Sequence, residues 1–218
     1  ALSETSVPHP GPCSASDTFS RPGTLTKLGL DYASLQSTHP RLIYCSISGF
    51  GHTGPRRREA GYDAVMQGEG GLMSITGGGD GPPYRLGVGI ADIVSGMFAA
   101  QGITAALFAR ERTGRGQAVD IAMLDSVAAL LTYQAGIYFA TGTAPGRLGN
   151  RHPTIVPYET FSASDGEFVL AVGNDDQWRR FCGVAGLAEE ERFATNRQRV
   201  LAYDDLRRLV AARLAAET

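Results

Sequence analysis

The segment from Asp92 to Arg112 constrains this chain most. Its apolar and small side chains recur at helical spacing, with Ile93, Met97, Ala100, Thr104 and Leu107 near one face. Glycine punctuates both ends: Gly87 and Gly89 precede it, and Gly114-Arg115-Gly116 breaks it. Farther upstream, Gly77-Gly78-Gly79-Asp80-Gly81-Pro82-Pro83 cannot propagate a helix and reads as a mobile loop. Arg110, Arg112 and Arg115 crowd the end of the helical segment, where cations suit the helix dipole.

Strand signals flank that helix. Arg41 to Ile47 is rich in β-branched and aromatic residues between Pro40 and Gly49, which predicts a buried strand. Ala118 to Met123 alternates and leads into a helix starting near Asp125 and ending near Phe139. Leu25 to Leu30 reads as a short helix, and Tyr62 to Ile75 as a helix loosened at Gly68, Gly70 and Gly71. Past Gly142 the character changes. Asp165-Gly166 between Tyr158–Phe161 and Phe168–Val172 predicts a β-hairpin. Asn174 opens a helix with Gln177, Phe181 and Val184 on one face, and the tail from Ala202 to Thr218 reads as an amphipathic helix. The expected organisation is α/β. Residues 1–24, rich in Ser, Pro, Gly and Thr, form an irregular segment; 25–145 form part of a large α/β domain; 146–218 form a small α+β domain. No internal repeat is evident.

Bulk properties exclude several classes. With 218 residues, 43% of them hydrophobic, there is ample material for a core. A net charge of −2 offers no basic face for nucleic acid. No apolar run reaches the ~20 residues needed to span a bilayer, since Ser95, Gly96 and Gln101 interrupt the longest. Cys13, Cys45 and Cys182 lie far apart, which argues against a disulfide framework or a metal site and for a reducing compartment. The start, Ala1 to Thr5, has neither a signal-peptide pattern nor an initiator Met, so a fragment or processed form is expected. The triple glycine is not a P-loop, because no Lys-Ser or Lys-Thr follows.

Several motifs occur together in one order: Arg41 to Gly51 with Gly54-Pro55, then Gly61-Tyr62-Asp63, then Gly87-Val88-Gly89-Ile90-Ala91-Asp92 with Ser95-Gly96, then Arg112 to Gln117 with Val119-Asp120. Over about residues 21–218 this ordered set resembles the family III CoA-transferases of the CaiB/BaiF type. The run Ile155-Val156-Pro157-Tyr158, with Asp165-Gly166 and Gly173-Asn174, is most similar to the branch that uses dicarboxylates. The family's chain is much longer, and its Asn-Phe pair before Arg-Pro-Gly is missing from Asp17 to Gly23.

The resemblance implies a partial Rossmann-like large domain plus a small domain, in a family of interlocked homodimers. It implies transfer of coenzyme A between an acyl-CoA and a carboxylic acid, through a covalent intermediate on Asp92. Acyl-CoA is then a substrate, and no permanently bound cofactor is expected. Lys27, Gly61, Tyr62 and Asp63 match family positions at the CoA site, and the implied location is cytoplasmic, or mitochondrial in a eukaryote. Two rivals stand beside this reading. An α-methylacyl-CoA racemase would carry His where this chain has Tyr62, because it needs a second acid/base to exchange a proton. A non-catalytic fragment of the transferase is the other.

The residues also admit structural readings. Asp92 suits a helix N-cap as well as a nucleophile, and the two roles are compatible. Asp125 reads as a cap only, and Asp120 as an exposed or paired carboxylate. Lys27 is either a surface lysine or a phosphate contact, and Tyr62 a half-buried aromatic or a CoA contact. Arg56, Arg57 and Arg58 form a solvated loop or meet phosphates. Arg151 or His152 could take the distal carboxylate of a dicarboxylic acid. Cys182 and Trp178 are expected in a core.

Overall fold

The computed structural model describes residues 15–19, as backbone only, and 23–215; Cys13 and the end of the C-terminal tail lie outside them. The chain divides into two compact units. The first holds the described residues up to Thr76 together with Pro83–Pro145, and the second holds Gly77–Pro82 with the described part of Gly146–Thr218.

The first unit is α/β. Strands β1 (Ala15–Phe19), β2 (Ile43–Ser48) and β3 (Ala118–Ala122) form a parallel sheet in the order β1-β2-β3. Ile43 pairs with Ala15, and Tyr44 with Ala118. All six residues of β2 are buried, as befits a central parallel strand covered on both faces. Strand β1 falls within the stretch expected to be irregular; it joins the sheet through backbone pairing, to which a Ser-, Pro- and Gly-rich composition gives no clue.

Between β1 and β2 come a 3₁₀ turn at Thr26–Leu28, where a short helix was expected, and helix α1 (Tyr32–Leu35). Helices α2 (Asp63–Glu69), α3 (Leu72–Ile75) and α4 (Ile90–Thr113) lie between β2 and β3. The segment after β3 forms two helices, α5 (Met123–Ala129) and α6 (Thr132–Thr141), instead of one; Thr132 adopts a φ of 43°, which a continuous helix does not permit.

Helix α4 packs against β2, β3, α2 and α5. Its buried face carries Ala91, Val94, Ser95, Ala99, Ala106 and Arg110. Ile93 and Met97, expected together on one face, are exposed, so the spacing read from sequence marks the outward side. Small residues allow close approach to the sheet: a Cβ at Gly102 would stand 2.7 Å from Val119 Cγ1. Gly114 ends the helix in the left-handed region, φ 72°, where glycine carries no steric penalty. By length and composition alone α4, 24 residues with a hydropathy of 1.4, is long and apolar enough to cross a membrane. A helix packed into a protein core passes the same test, and α4 packs against β2, β3, α2 and α5.

The second unit is α+β. Strands β4 (Tyr158–Ser162) and β5 (Glu167–Ala171) form the antiparallel hairpin expected around Asp165-Gly166. Helices α7 (Asp175–Ala185), α8 (Asn196–Leu201) and α9 (Tyr203–Leu214) follow. Trp178, Cys182, Phe193, Leu206 and Val210 fill the core with Val156 and Phe161. The inward face of α7 is Trp178, Cys182 and Ala185, while Val184 is 89% exposed. Fully buried Arg199 fastens this unit. It donates to Val156 O at 2.7 Å, Phe193 O at 2.9 Å and Asp175 Oδ1 at 2.8 Å.

Candidate active site

Two backbone segments touch just past the end of β2. A Cβ at Gly61 would lie 2.2 Å from Gly49 Cα, and one at Gly49 would lie 2.6 Å from Gly61 Cα. Only two glycines allow this crossing. It delivers the chain to Tyr62 and Asp63 at the start of α2. The need for glycine at position 61 therefore arises from packing against Gly49.

Asp63 occupies the first turn of α2, yet it caps a different helix. The N-cap of α4 is Gly89, which has no side chain to accept the orphan N–H groups. Ala91 N donates instead to Asp63 Oδ1 at 2.9 Å. Gln67, fully buried, donates through Nε2 to Asp63 Oδ2 at 2.8 Å. Asp63 is thus held at both oxygens.

Asp92 lies in the first turn of α4, two residues past its first residue, and is not the cap that its position suggested. It is exposed. Asp92 Oδ2 lies 3.4 Å, and Asp63 Oδ1 3.8 Å, from the point a Cβ on Gly89 would occupy. Both carboxylates therefore flank one glycine at a helix N-terminus. Partial burial first, and then the negative charge of Asp63, push the Asp92 carboxyl above its ordinary value of 3.8. The favourable helix dipole acts in the opposite sense but does not prevail. Asp125 also sits in a first turn, that of α5, without capping it.

The other candidates are more dispersed. Tyr62 is 69% exposed at the N-cap of α2. Lys27 is exposed on the 3₁₀ turn, and no hydrogen bond or ion pair joins it to Asp63 or Asp92 among the described residues. Next to that turn a cavity of about 410 Å³ is lined by Thr26, Tyr32, Tyr44, Ser46, His52 and Asp120. Asp120 Oδ2 accepts from the His52 backbone N at 2.8 Å, and Ser46 Oγ lies 2.6 Å from His52 Nε2.

Arg56 is committed to Glu59 and Glu69, at 2.6 and 2.7 Å, and stacks over Phe50 at 4.0 Å. Arg57 donates to Gly54 O. In the second unit, the glycine-rich segment is loop as expected, and Arg147 donates to Gly78 O and Gly81 O within it. Arg151 stacks 3.3 Å over the Tyr203 ring, and its buried Nε lacks a hydrogen-bond partner. Burial, then a hydrogen bond with Glu159, pushes the Tyr203 phenol up to about 12. His152 Nδ1 accepts from Thr154 N and Ile155 N, which fixes that ring as a loop brace. Cys45 and Cys182 are buried. Among the described residues no group of three or more His, Cys, Asp or Glu could hold a metal.

Gln67 escaped sequence reasoning. Its one signal is the i, i+4 spacing to Asp63, which marks a pair on one helix face without revealing that the face is buried.

The family model for CoA-transferase family III matches residues 18–218. The succinate–glutarate CoA-transferase of Agrobacterium fabrum is 48% identical over 198 residues, 89% of this chain and 49% of that protein. The acetyl-CoA:oxalate CoA-transferase of Acetobacter aceti is 44% identical over 191 residues, 86% of this chain and 49% of that protein. A crystal structure of a CAIB/BAIF family protein from Brucella suis superimposes with a TM-score of 0.76 at 45% identity, covering 94% of this chain and 54% of that one. The chain thus spans about half the length of the curated relatives it matches.

Proposed function

This chain belongs to CoA-transferase family III, and from that premise we propose that the protein moves coenzyme A between an acyl-CoA and a carboxylic acid, dicarboxylic by preference, through a covalent intermediate on Asp92. The observation that carries the reading is the exposed Asp92 carboxyl in the first turn of α4, beside a second, doubly held carboxylate. The names of the Agrobacterium and Acetobacter relatives, which pair succinate with glutarate and acetyl-CoA with oxalate, support the substrate class.

The steps balance without metal or energy input. An Asp92 oxygen attacks the thioester carbonyl and CoA leaves as thiolate, giving a mixed anhydride. The thiolate attacks the aspartyl carbonyl, releasing the donor acid and forming an aspartyl-CoA thioester. The acceptor carboxylate then displaces CoA, and the thiolate takes the new acyl group, restoring the Asp92 carboxylate. Raised basicity makes that carboxylate a better nucleophile, and the N-terminus of α4 favours the negative charge that develops beside it. On this reading Lys27 and Tyr62 contact the CoA moiety, and Gly61 and Asp63 shape its site. Residues 25–145 belong to the large domain and 146–218 to the small one.

An acyl anhydride exposed to water hydrolyses, so transfer needs cover that Asp92 lacks in this chain. A second copy in an interlocked homodimer, with the remainder of a family-length chain, would supply it. A cytoplasmic location, or a mitochondrial one in a eukaryote, suits acyl-CoA substrates. The non-catalytic reading for the isolated 218 residues draws on the same half-length span. Tyr62 in place of a catalytic His disfavours the racemase.

Mass spectrometry after mixing with succinyl-CoA and hydroxylamine tests the reading. A hydroxamate on Asp92 is expected, and acyl-CoA turnover with Asp92 unmodified refutes the covalent role. Comparing the 218-residue chain with the complete gene product separates transferase from inert fragment. Arg151→Ala is expected to raise the KM for dicarboxylates by roughly tenfold while sparing monocarboxylates, a loss of about 1.4 kcal/mol. An unchanged KM removes Arg151 from the acceptor site.

A further inference from the structure

Gln67 is fully buried, and both ends of its amide are occupied. Nε2 donates to Asp63 Oδ2 at 2.8 Å and, more weakly, to Val88 O at 3.3 Å. Oε1 accepts from Leu86 N at 2.8 Å. Val88 O also accepts from Ile90 N at 2.9 Å, at the start of α4. One side chain on α2 therefore grips the loop that enters α4 at two backbone positions. The same side chain grips the carboxylate whose other oxygen caps Ala91.

Burying a primary amide is costly unless its groups are satisfied. Here the amide makes three directional bonds, and all of them end within six residues of Asp92 or on Asp63. A residue needed only to fill space in this core would be apolar, like its buried neighbour Met66. Without the Gln67 bond, Asp63 could rotate about its side-chain torsions while keeping one oxygen on Ala91. Its charge would then no longer sit at a fixed place beside Asp92. Without the bond to Leu86, the chain through Gly87 and Gly89 would lose its tether at the point where α4 begins.

We propose that Gln67 is a positioning residue for the reaction at Asp92: it fixes the Asp63 carboxylate and the 86–89 loop, and through them the orientation of the nucleophile. The inference rests on the covalent role of Asp92 proposed above. Gln67 does not contact the reacting groups; it acts through Asp63 and the 86–89 loop, so its main effect falls on the rate of attack at Asp92.

The test uses hydroxylamine trapping and steady-state kinetics on the complete protein carrying Gln67→Met, which keeps volume and removes every amide bond. Folding is verified by circular dichroism. If that variant does not fold, Gln67→Glu serves when trapping is followed across pH, because it retains the acceptor for Leu86 N and can donate to Asp63 only while the new carboxyl pair holds a proton, so trapping should slow further as that proton is lost. Trapping at Asp92 is expected to slow by about 10–100-fold, the range for misplacement of about 1 Å, with the KM for acyl-CoA changing by a smaller factor. In an Asp63→Asn background the same substitution should slow trapping by much less, because the two act along one path. A residue that merely stabilises the fold would give independent, multiplicative effects, and that result overturns the proposal. So does a Gln67 variant that traps at the native rate while the native protein labels Asp92. Should the native protein fail to label Asp92 at all, the covalent reading falls first and the role of Gln67 falls with it.

Discussion

Replacing Gly61 with Ala adds one methyl group where two backbones touch. The new Cβ would stand 2.2 Å from Gly49 Cα and 3.0 Å from Gly49 N. Carbon atoms in contact prefer about 3.5–4.0 Å, so the segments must part by roughly 1.5 Å. Both sides of the clash are backbone, so no flexible side chain can move aside. Overpacking costs about 1–3 kcal/mol, and the rigid partners put this site near the upper end. For a domain of this size class, ~3 kcal/mol lowers the Tm by roughly 6–12 °C. The displaced segment leads directly into Tyr62 and Asp63, so the carboxylate beside Asp92 shifts as well. Misplacement of about 1 Å can slow a reaction ~100-fold, and hydroxylamine trapping at Asp92 should slow accordingly. Gly49→Ala puts a Cβ 2.6 Å from Gly61 Cα and should act similarly. The double variant should then cost less than the sum, because the first methyl already opens the crossing. Calorimetry of the three variants measures this. A Gly61→Ala protein with native Tm and native trapping rate would refute the crossing as the reason for glycine here.

Two further predictions concern charge. Asp63→Asn keeps an acceptor for Ala91 N and removes the neighbouring negative charge. The titration midpoint of Asp92, followed by carboxyl ¹³C NMR, should fall toward 3.8 but stay above it, because burial is the larger cause; an unmoved or rising midpoint contradicts the assigned coupling. An acid whose pKa is raised by folding stabilises the native state below its unfolded pKa and loses that contribution as pH rises through the folded value. Asp92→Asn should therefore raise the Tm at neutral pH but not at strongly acid pH. In the second unit, Arg199→Met strands three carbonyls and Asp175. Asp175 is 46% exposed and rehydrates, but each buried carbonyl left without its donor costs about 1–3 kcal/mol. Fluorescence of Trp178, the sole tryptophan and part of that core, should report a Tm fall of more than ~10 °C, and a shift under ~3 °C would deny Arg199 its fastening role.

Much of this molecule was legible in the chain. The buried strand at Ile43–Ser48, the glycine-ended helix over Ile90–Thr113, the hairpin around Asp165-Gly166 and the core places of Trp178 and Cys182 all follow from local patterns. Periodicity, turn chemistry and glycine punctuation act over a few residues, so they survive without knowledge of the fold. The ordered motifs also singled out Asp92 and Asp63.

What the sequence left open depends on contacts between distant segments. Spacing placed Ile93 and Met97 on one face of α4 but not which face meets the sheet. The packing decided that, because small residues such as Gly102 let the helix approach Val119 closely. Position suggested that Asp92 caps its own helix; the cap comes instead from Asp63, 28 residues before the Ala91 it caps, and Gln67 braces it. An orphan N–H at a helix start takes whichever acceptor the tertiary arrangement brings near, and linear spacing carries no record of that choice.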